Sequence, residues 1–137
     1  MKIITIHGIR TRKSPFTFLQ DSPTLTNRGV QIEHFEYGFM SIPGFANPFQ
    51  RKRVLKSFFK FYDEKIGFKE RPSVVCHSFG TWILTEAIMT YPSIKFERVI
   101  MFGSILSPEL DLEVFFGKDQ VRELKWGERI GLRLLAD

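Results

Sequence analysis

Short apolar runs alternate with longer amphipathic segments along this chain. Four runs rich in β-branched or aromatic residues have the length and composition of buried strands. The predicted strands are residues 3–6, 30–37, 73–76 and 98–102. Elsewhere apolar residues recur at spacings of three and four, which indicates amphipathic helices. The predicted helices are residues 51–66, 81–90 and 120–136, although Gly127 and Gly131 are unfavourable inside the last one.

This order of elements predicts the fold class. Strands joined by helices run parallel in one sheet, because each connection must return to the edge from which the next strand starts. We therefore expect an α/β protein with three layers, in which a mostly parallel sheet has helices on both faces. A length of 137 residues suits a single domain that spans residues 1–137.

Composition excludes several classes of protein. Hydrophobic residues make up 43% and charged residues 26% of the chain, as in folded globular proteins rather than disordered ones. The single cysteine, Cys76, cannot form an intramolecular disulfide. The N-terminal apolar run is too short for a secretion signal, and no stretch approaches the ~20 apolar residues of a membrane-spanning helix. These features favour a cytoplasmic protein.

The net charge of +5 is compatible with an anionic partner. No zinc-finger spacing or nucleic-acid-binding motif accompanies this charge, so a solvated basic surface is the favoured interpretation and no nucleic-acid partner is predicted. The sequence also has no metal-ligand spacing and no glycine-rich phosphate loop. We therefore expect neither a metal nor another cofactor.

Residues 76–80 join the third predicted strand to a helix. Ser78 at the centre would place its hydroxyl above the carboxyl end of the sheet, beside the first N–H groups of the helix. Such groups stabilise negative charge on a substrate carbonyl oxygen. The residues two before and two after Ser78 are expected to crowd each other, and Cys76 and Gly80 are both small. The alternative is that Ser78 serves only as a helix N-cap.

This turn resembles the nucleophile elbow Gly-x-Ser-x-Gly of the α/β-hydrolase family. The sequence keeps Ser78 and Gly80, whereas Cys76 replaces the first glycine. The pair His7-Gly8 at the end of the first predicted strand also matches that family, in which such a pair shapes the oxyanion loop. The resemblance implies a shortened α/β-hydrolase core.

The resemblance, which covers residues 2–104, also implies roles for particular residues. Ser78 would be the nucleophile, and the backbone N–H groups of Ile9 and Phe79 would form the oxyanion hole. The domain would lack the C-terminal strands and the histidine of the full fold. Residues with a structural role at the site would be His7, Gly8, Cys76, His77 and Gly80.

A serine hydrolase also needs a general base, which in this family is a histidine that follows the serine and the acid along the chain. No histidine follows Ser78, so no base is identified. His77 adjoins Ser78, and neighbours on such a turn point apart, so we expect it to pack against the sheet or a nearby loop. His34 lies within the second predicted strand and is expected to be structural.

In some members of this family the carboxylate that orients the base follows the fourth strand, and Asp111 is the candidate acid there. The more usual place is after a further strand, and the sequence predicts no such strand. Either the chain is part of a longer protein whose later strands and histidine follow residue 137, or it is a hydrolase without a complete triad. Other carboxylates in this region are Glu109, Asp119 and Asp137.

Two further segments have alternative interpretations. The helix at 51–66 is basic on one side and aromatic on the other, so it either packs on the sheet, the favoured interpretation, or contacts an anionic membrane surface. The apolar loop at 39–49 either forms a wall over Ser78 or covers a sheet edge. The thiol of Cys76 has no activating base and is not expected to react.

Two functional hypotheses follow. The leading one is a serine hydrolase that acts on an ester, thioester or amide of a small-molecule acyl substrate through an acyl-Ser78 intermediate. The alternative is a non-catalytic module that binds a ligand in the same cleft or forms homo-oligomers through an unpaired sheet edge.

Overall fold

A computed structural model of the chain describes residues 1–9 and 16–106, together with the backbone of residues 121–126 and 130–135. Its strands are β1 (Lys2–Ile6), β2 (Gln31–Phe35), β3 (Ser73–His77), β4 (Val99–Phe102), β5 (Val121–Trp126) and β6 (Ile130–Leu135). Its helices are α1 (Pro23–Asn27), α2 (Ile42–Ala46), α3 (Pro48–Lys65) and α4 (Phe79–Thr90), preceded by a 3-10 turn at Thr17–Leu19. The four predicted strands and the first two predicted helices are confirmed, with small shifts at their ends.

The strands form one six-stranded sheet with the order β2-β1-β3-β4-β6-β5. The first four are parallel, as predicted, whereas β6 pairs antiparallel with β4 and β5 pairs antiparallel with β6. Ile6 lies beside Cys76 and His77 lies beside Phe102 in the register of the parallel strands. The turns that follow β1, β3 and β4 therefore meet at one edge of the sheet.

The helix predicted at residues 120–136 is wrong, because Val121–Trp126 and Ile130–Leu135 form the antiparallel strands β5 and β6. The expectation that no strand follows β4 is wrong for the same reason. Ile130, Leu132 and Leu134 recur with a period of two, which is the pattern of a strand. Leu134 pairs with Ile100, so β4 is not an edge strand.

The core lies between the parallel strands and the helices α3 and α4, which also contact each other. Both helices connect strands in the same direction across the sheet, so right-handed crossovers place them on the same face. The interpretation of α3 as a core helix is confirmed by the burial of its aromatic side. The buried residues of α3 are Val54, Leu55, Phe58 and Tyr62.

No helix within the described ranges is both long enough and apolar enough to cross a bilayer.

Candidate active site

Ser78 lies between the end of β3 and the first residue of α4, at the carboxyl edge of the parallel strands. Its φ is 52° and its ψ is −117°, and among the described residues no other non-glycine has a positive φ. A side chain in such a conformation costs about 1–3 kcal/mol, so surrounding structure must hold it. The Ser78 hydroxyl makes no capping hydrogen bond to α4, which argues against the N-cap alternative.

Backbone hydrogen bonds fix both sides of this turn. The N–H of Ser78 donates to the carbonyl of Phe102 at 3.0 Å. The carbonyl of Ser78 accepts from the N–H of Thr81 at 3.0 Å and from its hydroxyl at 2.7 Å. The fully buried Thr81 hydroxyl also accepts from the N–H of Ile105 at 3.3 Å. Thr81 was not predicted as a site residue, and its one signal in the sequence was a polar side chain at the start of an otherwise apolar helix.

Two glycines leave room for the turn. A Cβ on Gly80 would stand 2.6 Å from the carbonyl oxygen of Ile6, so α4 approaches β1 this closely only because residue 80 has no side chain. A Cβ on Gly8 would stand 3.0 Å from the Cβ of Ser78 and 3.5 Å from its Oγ. The closest contacts at Gly80 therefore come from β1.

His7 is buried beneath the turn. Its Nδ1 donates to the carbonyl of Gly8 at 2.7 Å, and its ring stacks on Tyr37 with the centroids 4.3 Å apart. The hydroxyl of Tyr37 donates to the carbonyl of His7 at 3.0 Å. Burial lowers the pKa of His7, which favours the neutral ring. These contacts shape the end of β1, and the ring is fully buried.

The other two histidines differ in exposure. His77 is exposed, and its ring lies between Gly8 and Gly103. A Cβ on Gly8 would stand 3.2 Å from the Nδ1 of His77, and a Cβ on Gly103 would stand 3.4 Å from its Nε2. It therefore packs against neighbouring loops, as its position beside Ser78 had suggested. His34 is hydrogen-bonded to the Thr5 hydroxyl on β1, away from the turn, and burial lowers its pKa.

The proposed oxyanion donors belong to segments that border Ser78. Phe79 is the first residue of α4, so its N–H has no acceptor within the helix. Ile9 directly follows Gly8, which contacts Ser78, and its side chain is partly buried against the core. Cys76 is fully buried below the turn, and burial raises the pKa of its thiol, which keeps it protonated.

Comparisons with known proteins address the fold. No family model matches the sequence, and no curated protein matches it either. The structure is similar to the crystal structure of polyneuridine aldehyde esterase, with a TM-score of 0.56 and 17% sequence identity. The match covers 99% of this chain and 58% of that chain. This protein has an α/β-hydrolase fold.

The α/β-hydrolase fold carries its nucleophile on a strand-to-helix turn above the sheet, and Ser78 lies on such a turn. This chain spans 58% of the length of the esterase that it resembles. The candidate acid Asp111 lies outside the described residues, as do Glu109, Asp119 and Asp137. The part of the chain that the structure describes contains no group of three side chains able to hold a metal ion.

The apolar segment predicted as a loop borders this turn. The loop prediction is wrong in part, because residues 42–46 form α2, where the Ser41 hydroxyl accepts a hydrogen bond from the N–H of Gly44 at 3.1 Å. The ring of Phe45 meets the ring of Phe79 edge-on, with centroids 5.1 Å apart. This contact places Phe45 of α2 against the first residue of α4, which follows Ser78 in the chain.

Proposed function

We propose that this protein is a serine hydrolase that cleaves an ester, thioester or amide through an acyl-Ser78 intermediate. The observation that carries the proposal is the positive φ of Ser78, held between β3 and α4 while its hydroxyl does not cap the helix. Backbone strain of this kind concentrates at sites where function needs a side chain aimed in one direction. The α/β-hydrolase fold, shared with an esterase, supports the same class of reaction.

In the proposed reaction, Oγ of Ser78 attacks the acyl carbonyl and its proton passes to a general base, which is not identified among the described residues. The N–H groups of Phe79 and Ile9 stabilise the negative charge on the carbonyl oxygen. Collapse of the tetrahedral intermediate breaks the bond to the alcohol, thiol or amine, which leaves with a proton. A water molecule then attacks the acyl-Ser78 ester and releases the carboxylic acid.

One observation favours the alternative of a non-catalytic binding module. The chain has three histidines, and no hydrogen bond joins any of them to Ser78 Oγ within the described residues. His7 is buried and His34 is bonded to Thr5. A protein that lacks the base would bind an acyl compound at the turn while hydrolysing it slowly at best.

Hydrolysis assays separate the two functions. Purified protein is offered p-nitrophenyl butyrate, the corresponding thioester and the corresponding anilide, and release of the leaving group is followed by absorbance. We expect hydrolysis of at least one of them, and its loss in Ser78→Ala. Ser57→Ala, which removes an exposed hydroxyl on α3, is the matched control and should keep the wild-type rate. Equal rates in Ser78→Ala and wild type would contradict the proposal, and a folded but inactive wild type would favour the binding module.

A further inference from the structure

A groove with a volume of 620 Å³ lies between α3 and α4. This volume falls within the range of sites that bind small molecules. The groove is lined by side chains of both helices and of Tyr91, which follows α4, whereas Ser78 is not among its lining residues. It is therefore a place separate from the turn.

The charge of the groove is positive. Arg51, Lys52 and Lys56 line it from α3, and Glu86 is the carboxylate that faces them from α4. The ion pairs found among the described residues, Lys2 with Glu70 and Lys60 with Glu64, include none of these three cations. Charge complementarity therefore favours an anionic ligand.

Of the three cations in the groove, Arg51 is the one whose guanidinium contacts a neighbouring side chain. Its guanidinium carbon lies 5.5 Å from the centroid of the Trp82 ring, a cation–π contact. Its Nε is buried and has no hydrogen-bond partner in the part of the chain that is described. A buried donor without an acceptor is unfavourable, and a carboxylate or phosphate oxygen is the acceptor that the planar guanidinium fits best.

The same groove offers apolar surface for the rest of a ligand. Leu55, Trp82 and Tyr91 line it beside the cations. The Trp82 ring is held in place by parallel stacking on Phe79, with centroids 5.2 Å apart and planes 10° apart. A cationic side chain above a fixed aromatic surface suits a molecule with an anionic head and an apolar body.

We propose that the groove between α3 and α4 binds an anionic amphiphile, a molecule with a carboxylate or phosphate head and an apolar tail. Arg51 and Lys56 hold the head, while the tail lies on Trp82, Leu55 and Tyr91. The site does not depend on the reactivity of Ser78, so it stands even where the protein proves to have no hydrolase activity.

Calorimetric titration of the purified protein with dodecanoate tests the site. Dodecanoate should bind saturably with one molecule per chain, and uncharged dodecanol should bind at least about tenfold more weakly, because a hydrogen bond to a charged group is lost. Arg51→Gln should weaken dodecanoate binding by about tenfold for the same reason. Arg53→Gln is the matched control, since Arg53 is exposed on the same helix and lies outside the groove.

A second arm identifies the source of the anionic head. Flotation with phosphatidylglycerol vesicles, set against phosphatidylcholine vesicles, detects binding to lipid headgroups. Loss of flotation in Arg51→Gln but not in Arg53→Gln would assign the site to a lipid surface, and dodecanoate binding without flotation would assign it to a free ligand. Either outcome supports the proposal.

The proposal fails where Arg51→Gln and Arg53→Gln lower both kinds of binding equally, because only the total charge then matters. It also fails where dodecanol binds as tightly as dodecanoate, or where neither dodecanoate nor vesicles bind. Circular dichroism checks that each variant is folded. Lys56→Gln, at an exposed position in the groove, provides the same comparison should Arg51→Gln fail to fold.

Discussion

The turn at Ser78 and the groove between α3 and α4 are built in different ways. At the turn, backbone approaches backbone, and a Cβ on Gly80 would stand 2.6 Å from the carbonyl oxygen of Ile6. The groove is instead lined in part by long, exposed side chains such as Lys52 and Lys56. Substitutions at the turn should therefore change the stability of the fold, whereas substitutions in the groove should change binding alone.

Gly80→Ala should have the largest effect on stability. The added methyl group must push α4 away from β1, and overpacking of this kind costs about 3 kcal/mol. Urea unfolding followed by circular dichroism measures the change, with Lys56→Gln at an exposed position in the groove as the comparison, expected within about 0.5 kcal/mol of wild type. Similar losses in the two variants would abolish the distinction between turn and groove.

Ser78→Gly should be more stable than Ser78→Ala by about 1 kcal/mol, since glycine relieves the positive φ while alanine keeps it. The two variants both lack the hydroxyl, so the loss of its contacts cancels in the comparison. The free energy gained by relieving the strain is larger than the free energy lost because glycine gives the unfolded chain more conformational entropy. Unfolding free energies from urea titrations test this, and a less stable Ser78→Gly would show that the turn is not strained.

The buried His7 beneath the turn should make stability depend on pH. Its pKa is lowered by burial from an ordinary value of 6.5, so the unfolded chain binds the proton more readily. This contribution is complete above pH 6.5 and decreases as the pH falls towards the folded-state pKa. His34, whose pKa is also lowered, acts in the same direction.

Urea unfolding at pH 7.5 and pH 5.5 measures this effect, and the free energy of unfolding should be lower at pH 5.5. His7→Asn should reduce the difference between the two pH values, although it also lowers stability by removing the ring that stacks on Tyr37. Ser57→Ala serves as the control that keeps the full difference. A pH dependence unaltered by His7→Asn would exclude His7 as its source.

The sequence was most informative where local chemistry decides the structure. The order strand, Ser78, Gly80, helix predicts the turn, and His7-Gly8 predicts the neighbouring loop, because few residues tolerate such close contacts. The conformation of Ser78 itself was not predictable, since it depends on Thr81 bonding both to its carbonyl and to the segment after β4.

Features that depend on tertiary contacts escaped prediction. The groove requires Arg51 and Trp82, 31 positions apart in the sequence, to meet across two helices. At the C-terminus, apolar residues in 120–136 satisfy a helical spacing as well as a strand spacing, and pairing of β6 with β4 decides between them. Gly127 and Gly131 were the local signals against a helix.

The most direct test of the account is the mass of the folded protein after treatment with a fluorophosphonate, followed by peptide mapping of the adduct. An activated serine displaces fluoride and forms a covalent phosphonate ester, whereas an ordinary serine does not react. We predict one adduct per chain, carried by Ser78, and none on Ser78→Ala. An unmodified wild-type protein that is folded, or an adduct on another serine, would contradict the claim that the turn presents a reactive nucleophile.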